Sequence, residues 1–586
     1  MTVLLFALVA LVSCGFLDPA PDRSGDGDPP AWILAELNPG DDLHQAILEA
    51  ADRTIIALGP GTFVMTGHGS WDYGAILQDK TDLVVRGAGR EETIVSLPAD
   101  LDFGFYIESR LRNVTLEGFS IVGTLPLAVN THAIGNYTGP GYTSDVSGLT
   151  IRNLAIRDVA VGISLATWTE GSYGDVLVTG NILEHLIGTE SGWGYGIHAD
   201  NPSGVRIVGN YIRNAGRHGL YFGRSRVGAD ILIDGNFVYE HDRDALNPLR
   251  VASALVCARS SDVRLFFNTV LDPVPYAMSV EPDETYGWPT EDVVLVGNRI
   301  LGARDGGLWI YTGEAHAALG NTVVQRDGNP FSDYRYELTD GSALVPPDPR
   351  WADDDGVFDH IARWGADVFV LKNGVLDRLR PFPDAGEADW SYVSGPEDWS
   401  GARYLRAGPS PESAGAGVLY IGLAGGGFQR VDPATLVSVG VPVSEDLLVL
   451  EVKATESART AAGVTEWKVD VRLDSTRFYG KKIFLAEWDL VLPPGAELVG
   501  SGLPPPDADF FGGAGESEVD ALLGLSNRRM TKDPFRGASA RNGLLATYLV
   551  SADPPLADGS EFRLDRCVVA DSDLQAYTPA DGLPVR

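Results

Sequence analysis

Cysteine is scarce. Cys14, Cys257 and Cys567 are too few and too far apart for a cross-linked framework or a thiolate metal cluster. Cys257 and Cys567 read as two unrelated buried thiols. Basic charge is short as well: 45 Lys and Arg face 80 Asp and Glu, a formal net charge of −35, and no basic stripe interrupts the acidic surplus. A surface of that sign repels phosphate backbones, which excludes nucleic acid as a partner. Runs long enough to cross a bilayer as a helix are missing too. The apolar stretch MTVLLFALVALVSCGF stops being apolar too soon.

That stretch reads instead as an export signal over residues 1–14. A Pro-, Gly- and Asp-rich tether follows over 15–30, a composition that cannot bury a core. Leu11-Val12-Ser13-Cys14 resembles the lipobox of bacterial lipoproteins. The resemblance implies lipidation of Cys14, membrane attachment through that anchor only, and a place in the cell envelope as an outer-membrane or surface lipoprotein. At 586 residues the chain is long enough for two to four units, each with its own core.

What the chain has in abundance is a recurring apolar run ending in Asn. It appears at Asn153, Asn181, Asn210, Asn236, Asn268, Asn298 and Asn321, in steps of 28, 29, 26, 32, 30 and 23 residues. A coil of that length holds about three short strands and three turns, and stacked coils pair each strand with its counterpart ~4.8 Å above. Asn at a repeated corner tolerates left-handed backbone angles and can form a ladder with its neighbours. A second marker keeps phase with the first: an apolar residue lies ten past Asn153, Asn210, Asn236, Asn268 and Asn298, namely Ile163, Leu220, Leu246, Met278 and Leu308. Leucine-rich repeats would need regular Leu positions that are absent, and propeller blades would need about 40 residues.

These markers, with an amphipathic stretch at Leu43–Ala50, resemble the right-handed parallel β-helices of the pectin-lyase-like type. The resemblance implies an all-β solenoid over 31–330 whose first coil is capped by that helix. It implies architecture far more than activity.

If the residue ten past Asn points inward, alternation sends the next one outward. Ser164, Tyr221, Asn247, Ser279 and Trp309 then share one outer column, Glu281 and Tyr311 another, and matching Gly196-Ile197 to the marker adds His198 and Asp200. Such a face, with its His, carboxylates and aromatics, suits sugar rings, which show apolar C–H patches edged by hydroxyls. The stretch GRHGLYFGRS adds Arg217, His218 and Tyr221, and EHDRDALNP, one coil on, brings Arg243 and Asp244 to matching heights. Two chemistries would use this set. In β-elimination of a uronate polymer, Arg217 or Arg243 neutralises the carboxylate, His218 is the base and Tyr221 the acid. In hydrolysis, Asp200 and Asp244 flank the glycosidic bond. The competing reading is structural: Asp residues making turns, Arg residues solvated, and the whole a non-catalytic adhesin or scaffold.

RHGLYFG is loosely similar to the Gly-His-Gly segment of polygalacturonase-type hydrolases, but Arg217 replaces the first Gly and that family's other signatures are missing. No catalytic residue is carried over on that basis. No cofactor is called for, calcium being the one candidate. Even ADDDGVFD at 352–359 reads as a solvated acidic turn, since Trp364 stands where a calcium loop needs Glu.

After residue 330 the Asn marker stops. Residues 331–442 read as an irregular β segment or cap, with GVLYIGLAGGGFQRVDPATLVSV resembling one propeller blade. Residues 443–586 carry alternating strands that argue an antiparallel β-sandwich. Their order resembles cohesin-like sandwiches, which implies a protein or glycan as partner for this region.

Overall fold

The computed structural model describes residues 31–69, 72–136, 145–166, 172–201, 203–224, 230–239, 253–273, 276–281, 290–303, 306–311, 317–319, 321–325, 335–337, 360–364, 367–372, 374–380, 391–411, 416–444, 448–459, 465–475, 477, 483–502, 516–519, 526–530, 542–552, 562–571 and 575–577. Within 33–337 the chain winds as a right-handed parallel β-helix whose short strands stack in three vertical files. The first file runs from Ile33–Leu37 upward, the second from Gly61–Val64, and the third includes Val161–Ala166, Tyr195–Asp200 and Leu220–Gly223. Tyr73–Gly87 and Phe103–Glu117 pass through a corner without a break and so join the third file to the first.

Each corner demands a left-handed residue, and the demand explains the sequence. Asp82, Asn113, Gly148, Asp175, Gly204, Asp230 and Asp262 hold positive φ just before the first file; Gly118, Asn153, Gly180, Gly209, Gly235, Phe267 and Gly297 do so just after it. A left-handed angle costs an ordinary L-residue roughly 1–2 kcal/mol, and Gly, Asn and Asp largely avoid that cost.

Of the two tasks expected of the repeated Asn, the ladder is present from Asn181 upward, whereas none of the ladder residues takes the left-handed angle. Asn181, Asn210, Asn236, Asn268, Asn298 and Asn321 form a ladder in which each Nδ2 donates to the Oδ1 of the next at 2.8–3.0 Å. Each Nδ2 also donates to a carbonyl oxygen near the end of a first-file strand, for example Asn236 to Ile207 at 2.9 Å. Each Oδ1 also accepts from the backbone N–H of the ladder residue below, as Asn236 does from Asn210. Asn153 is outside the ladder. Leu154 occupies its rung, bonded to Asn181 Oδ1 through the backbone at 2.9 Å, while Asn153 supplies the left-handed angle that Gly supplies above it.

Pairing stacks Ile163, Ile197, Leu220, Leu255, Met278 and Leu308 in one file. The first five are fully buried. Leu246, expected there, lies outside the described residues, and Leu255 holds the position: the segment from Asn236 to this rung is nine residues longer than that from Asn210 to Leu220. Corners accept such insertions while strands stay in register. At the lower end the helix Leu43–Glu49 seats Leu43 and Ile47 on the core. Asp42 accepts from Gln45 N–H at 3.0 Å, and Lys80 Nζ donates to the Leu48 and Ala50 carbonyls at 2.9 Å each, capping both termini.

The carboxyl-terminal antiparallel strands make a four-stranded and a five-stranded sheet. Trp488 Nε1 donates to Tyr548 Oη across them at 2.8 Å. From the five-stranded sheet, Leu485, Val568, Ala570 and Ala576 pack against Ile182, Tyr211, Phe237, Tyr239, Leu271 and Leu301 on the outer face of the second β-helix file. That sheet is therefore covered on both faces. Separately, the described residues between 360 and 443, read from sequence as an irregular β segment or cap, form two four-stranded antiparallel meanders sharing a core of Phe369, Leu371, Leu376, Leu405, Leu419, Ile421, Val431 and Leu436. Cys257 and Cys567 are both buried. Cys14 and residues 352–359 lie outside the described residues.

Replacing Asn236 by Ala removes the acceptor of the Asn210 N–H and of one Asn210 Nδ2 hydrogen, and the side-chain donor to the Ile207 carbonyl and to Asn268 Oδ1, in a buried corner. Each buried unsatisfied group costs about 1–3 kcal/mol. Urea unfolding of Asn236→Ala is expected to show a loss of roughly 3 kcal/mol or more; a loss below about 1 kcal/mol would remove the ladder from the list of stabilising features.

Candidate functional site

Register settles which predicted residues meet. On the outer face of the third file, Ser164, His198, Tyr221, Val256, Ser279 and Trp309 form one column. Ala166, Asp200, Gly223, Ala258 and Glu281 form the next. Val256 holds the height expected for Asn247. Asn247, Arg243 and Asp244 lie outside the described residues, as do the side chains of Trp309 and Tyr311, whose strand Gly306–Tyr311 is in place.

Around His198 the rings close up. Tyr195 stacks on His198 and on His218 with centroids 5.3 Å apart in both cases, and Tyr221 lies 5.4 Å from His198 and 5.5 Å from His218. Two glycines make this approach possible. A Cβ on Gly216 would stand 2.2 Å from the Gly188 backbone nitrogen, and one on Gly223 would meet Asp200 Oδ1 at 2.3 Å and the Tyr221 ring at 3.0 Å. Arg217 is committed to the neighbouring loop: its Nη1 donates to the Gly192 carbonyl at 2.7 Å and to the Tyr195 hydroxyl, and its guanidinium lies 5.2 Å from the Tyr195 ring.

The imidazoles are held differently. His218 Nδ1 lies 2.7 Å from the Ser253 carbonyl oxygen, a separation at which two lone pairs would repel, so Nδ1 carries a proton. The Ser253 N–H, 3.2 Å from the same nitrogen, is the weaker neighbour. His198 Nδ1 meets Ser164 Oγ at 3.2 Å, and its Nε2 lies 3.7 Å from Asp200 Oδ2. His218 and His198 are 4% and 8% exposed, whereas Tyr221 is half-buried.

Two cations that spacing alone did not single out complete the electrostatics. Arg224 and Arg259 follow Gly223 and Ala258 at successive rungs, with φ of 60° and 57° at the corner. Burial works to raise the Asp200 carboxyl, but the His198 hydrogen bond and the charges of His198, Arg224 and Arg259 outweigh it and hold the group below the usual carboxylate range. Burial, then Asp200, pushes the Tyr221 hydroxyl well above the usual phenol range, so it stays protonated. Arg259 was hidden in the sequence because the long preceding coil broke the count from Asn236. Tyr195 was hidden because it enters from the insertion at 188–194. Glu281, in the Asp200 column, is three rungs away, roughly 14 Å at strand spacing. Among the described residues no three His, Cys, Asp or Glu are grouped to hold a metal. No described helix is long and apolar enough to cross a membrane.

No protein-family model and no curated protein sequence matches the chain. Solved structures that match include the PL6-family alginate lyase AlyGC, at 16% identity and a TM-score of 0.36, over 51% of this chain and 41% of that one. The A-module of the mannuronan C-5 epimerase AlgE4 from Azotobacter vinelandii matches at 14% identity and 0.32, over 49% and 83%. A GH87 α-1,3-glucanase catalytic unit from Streptomyces thermodiastaticus matches at 14% identity and 0.29, over 52% and 65%. The chain thus spans less than half the length of that alginate lyase.

One further ring reports on acid stability. His132, beside Phe103 and Trp193 on the same face, is pushed down to about 3 by burial and by His198. It is neutral when folded but takes up a proton near pH 6.5 when unfolded. Stability is therefore complete above pH 6.5 and falls as pH drops toward 3, by about 2 kcal/mol at pH 5 for this group. Urea midpoints measured across this range are expected to decline less steeply in His132→Phe; parallel declines would show that His132 does not drive the loss.

Proposed function

We propose that this chain is an exported cell-envelope protein, anchored at Cys14, that binds an acidic polysaccharide on the third-file face and cleaves it by β-elimination. The observation that carries the reading is the meeting of His218, Tyr221, Arg224 and Arg259 at adjacent rungs. Arg224 and Arg259 face the uronate carboxylate and stabilise the charge that develops when the neighbouring carbon loses its proton. His218 Nε2 takes that proton. Tyr221 gives its own to the glycosidic oxygen, whose alkoxide is basic enough to match a phenol of raised pKa. The C–H and C–O bonds break, a C=C bond and a new hydroxyl form, and proton return from His218 to Tyr221 resets the site. Arg217 holds Tyr195 against both imidazoles; Asp200 and His198 orient the cations and Tyr221. Hydrolysis is disfavoured among the described residues, because Asp200 and Glu281 exceed the roughly 6.5–9.5 Å that a water-bearing carboxyl pair spans. Asp244, Arg243, Asn247, Trp309 and Tyr311 remain proposed contacts farther along the face, and calcium remains the one candidate cofactor.

A second reading has its own observation. The burial of His218 and His198 favours a non-catalytic adhesin or scaffold in which both are packing residues. Incubation with a panel of polyuronates and neutral glycans separates the two. Elimination gives ultraviolet-absorbing unsaturated ends, and Tyr221→Phe and His218→Gln are each expected to slow it about 10²–10⁴-fold. New reducing ends without that absorbance would move the chemistry to hydrolysis, and neither signal on any polymer would leave the scaffold.

A further inference from the structure

The rings of the third file do not end at the proposed site. Pairing places Tyr73, Phe103, His132, Val161 and Tyr195 at successive rungs below His218. Tyr73 stacks on Tyr106 with centroids 5.5 Å apart, Tyr106 meets Phe103 at 5.0 Å, Phe103 meets His132 at 5.0 Å, and His132 meets Trp193 at 5.2 Å. Trp193 then touches Tyr195 and His198. Below Tyr73 the row continues into the cap: His44 on the helix stacks on His68 with centroids 4.1 Å apart, and both approach Tyr73, at 5.7 and 6.5 Å. His44, His68, Tyr73 and Trp193 are half-buried, so the row reaches the surface at both ends. From Tyr73 to His218 it climbs five rungs, roughly 24 Å at strand spacing.

The two ends differ in charge. The upper end carries Arg224 and Arg259. At the lower end Asp42 acts on His44, Asp72 lies in the turn that carries His68 and Tyr73, and the backbone of Asp102 is bonded to that of Asp72 at 3.0 Å. Burial, then Asp72, raises the Asp102 carboxyl, as carboxylates gathered with little counter-charge require. Burial and His68 hold His44 below the usual imidazole range, so it is uncharged at neutral pH. A uronate would be repelled there. A neutral sugar ring would find aromatic carbon for its C–H face and imidazole nitrogen for its hydroxyls. The turn is built to present Tyr73: Gly69 has φ of +68°, and a Cβ on it would stand 2.7 Å from the Tyr73 ring.

We propose that His44, His68 and Tyr73 form a distal subsite for an uncharged sugar residue, about five residues along the polymer from the uronate bound by Arg224 and Arg259. The inference deepens the polysaccharide reading above and rests on it. It makes the substrate a heteropolymer, with neutral sugars on the side that faces the cap.

The test is binding first and cleavage second, on the full chain. Neutral glucose-, mannose- and galactose-based pentasaccharides are titrated by calorimetry into wild type, Tyr73→Ala and His68→Ala, with thermal unfolding confirming that each variant is folded. At least one sugar is expected to bind wild type and to lose about five- to tenfold in affinity in both variants. No binding by any of the three, or equal binding by wild type and variants, overturns the subsite. On a cleavable heteropolymer, the variants are expected to lose kcat/KM on chains longer than five residues and to match wild type on trisaccharides; equal losses on both lengths would mean a merely structural role and overturn it. Pentasaccharide binding that responds to Tyr73→Ala, with no cleavage of any polymer, leaves the subsite standing and removes only the elimination chemistry.

Discussion

A carboxamide hydrogen bond repeated from Asn181 to Asn321 fixes the height of each of these coils above the next. Within the ladder, a side chain such as that of Asn236 donates to a first-file carbonyl of the coil below and joins its Asn neighbours through three further bonds. Strands of three to six residues have too few backbone bonds to hold register alone, and a slip of one residue would turn every core side chain outward. The ladder removes that freedom. The left-handed residue before Asn181, Asn210, Asn236, Asn268 and Asn298 sets the turn angle, which is why four of those five positions are Gly.

Vertical register is also what makes a site. Ser164, His198 and Tyr221 are separated by tens of residues in sequence and by single rungs in space. Ring contacts, the Asp200 ion pairs and the proton placement on His218 all follow from that stacking. The same rule extends the ring row down to the cap helix, which sits where the first coil would otherwise expose its core. The cap is thus placed to contribute His44 to a surface that the coils build.

The opposite side of the solenoid is treated differently. Outward-facing Tyr211, Phe237 and Tyr239 on the second file would form an exposed apolar patch in a free β-helix, and patches of that kind favour association. Here Leu485, Val568 and Ala570 of the sandwich cover them. Among the described residues, the five-stranded sheet thus turns one face to the β-helix and the other to the four-stranded sheet.

Sequence alone determined the solenoid, its period, its interior residues and the identity of the face carrying His198, His218, Tyr221 and Asp200, because a repeat imposes the same local demands in every coil and so writes them many times over. It also implied a terminal helix and a β-sandwich, whose periodicities are local properties. Tertiary structure decided the rest. Asn153 matched the pattern yet gave its rung to Leu154, and Leu255 rather than Leu246 holds the core position, since a longer corner shifts the count without disturbing hydrogen-bond register. Arg259 joined the site, and Arg217 was drawn to a loop carbonyl, through neighbours that no spacing encodes. The sandwich found its place on the second file by the fit of two apolar faces, a matter of shape in three dimensions rather than of order along the chain.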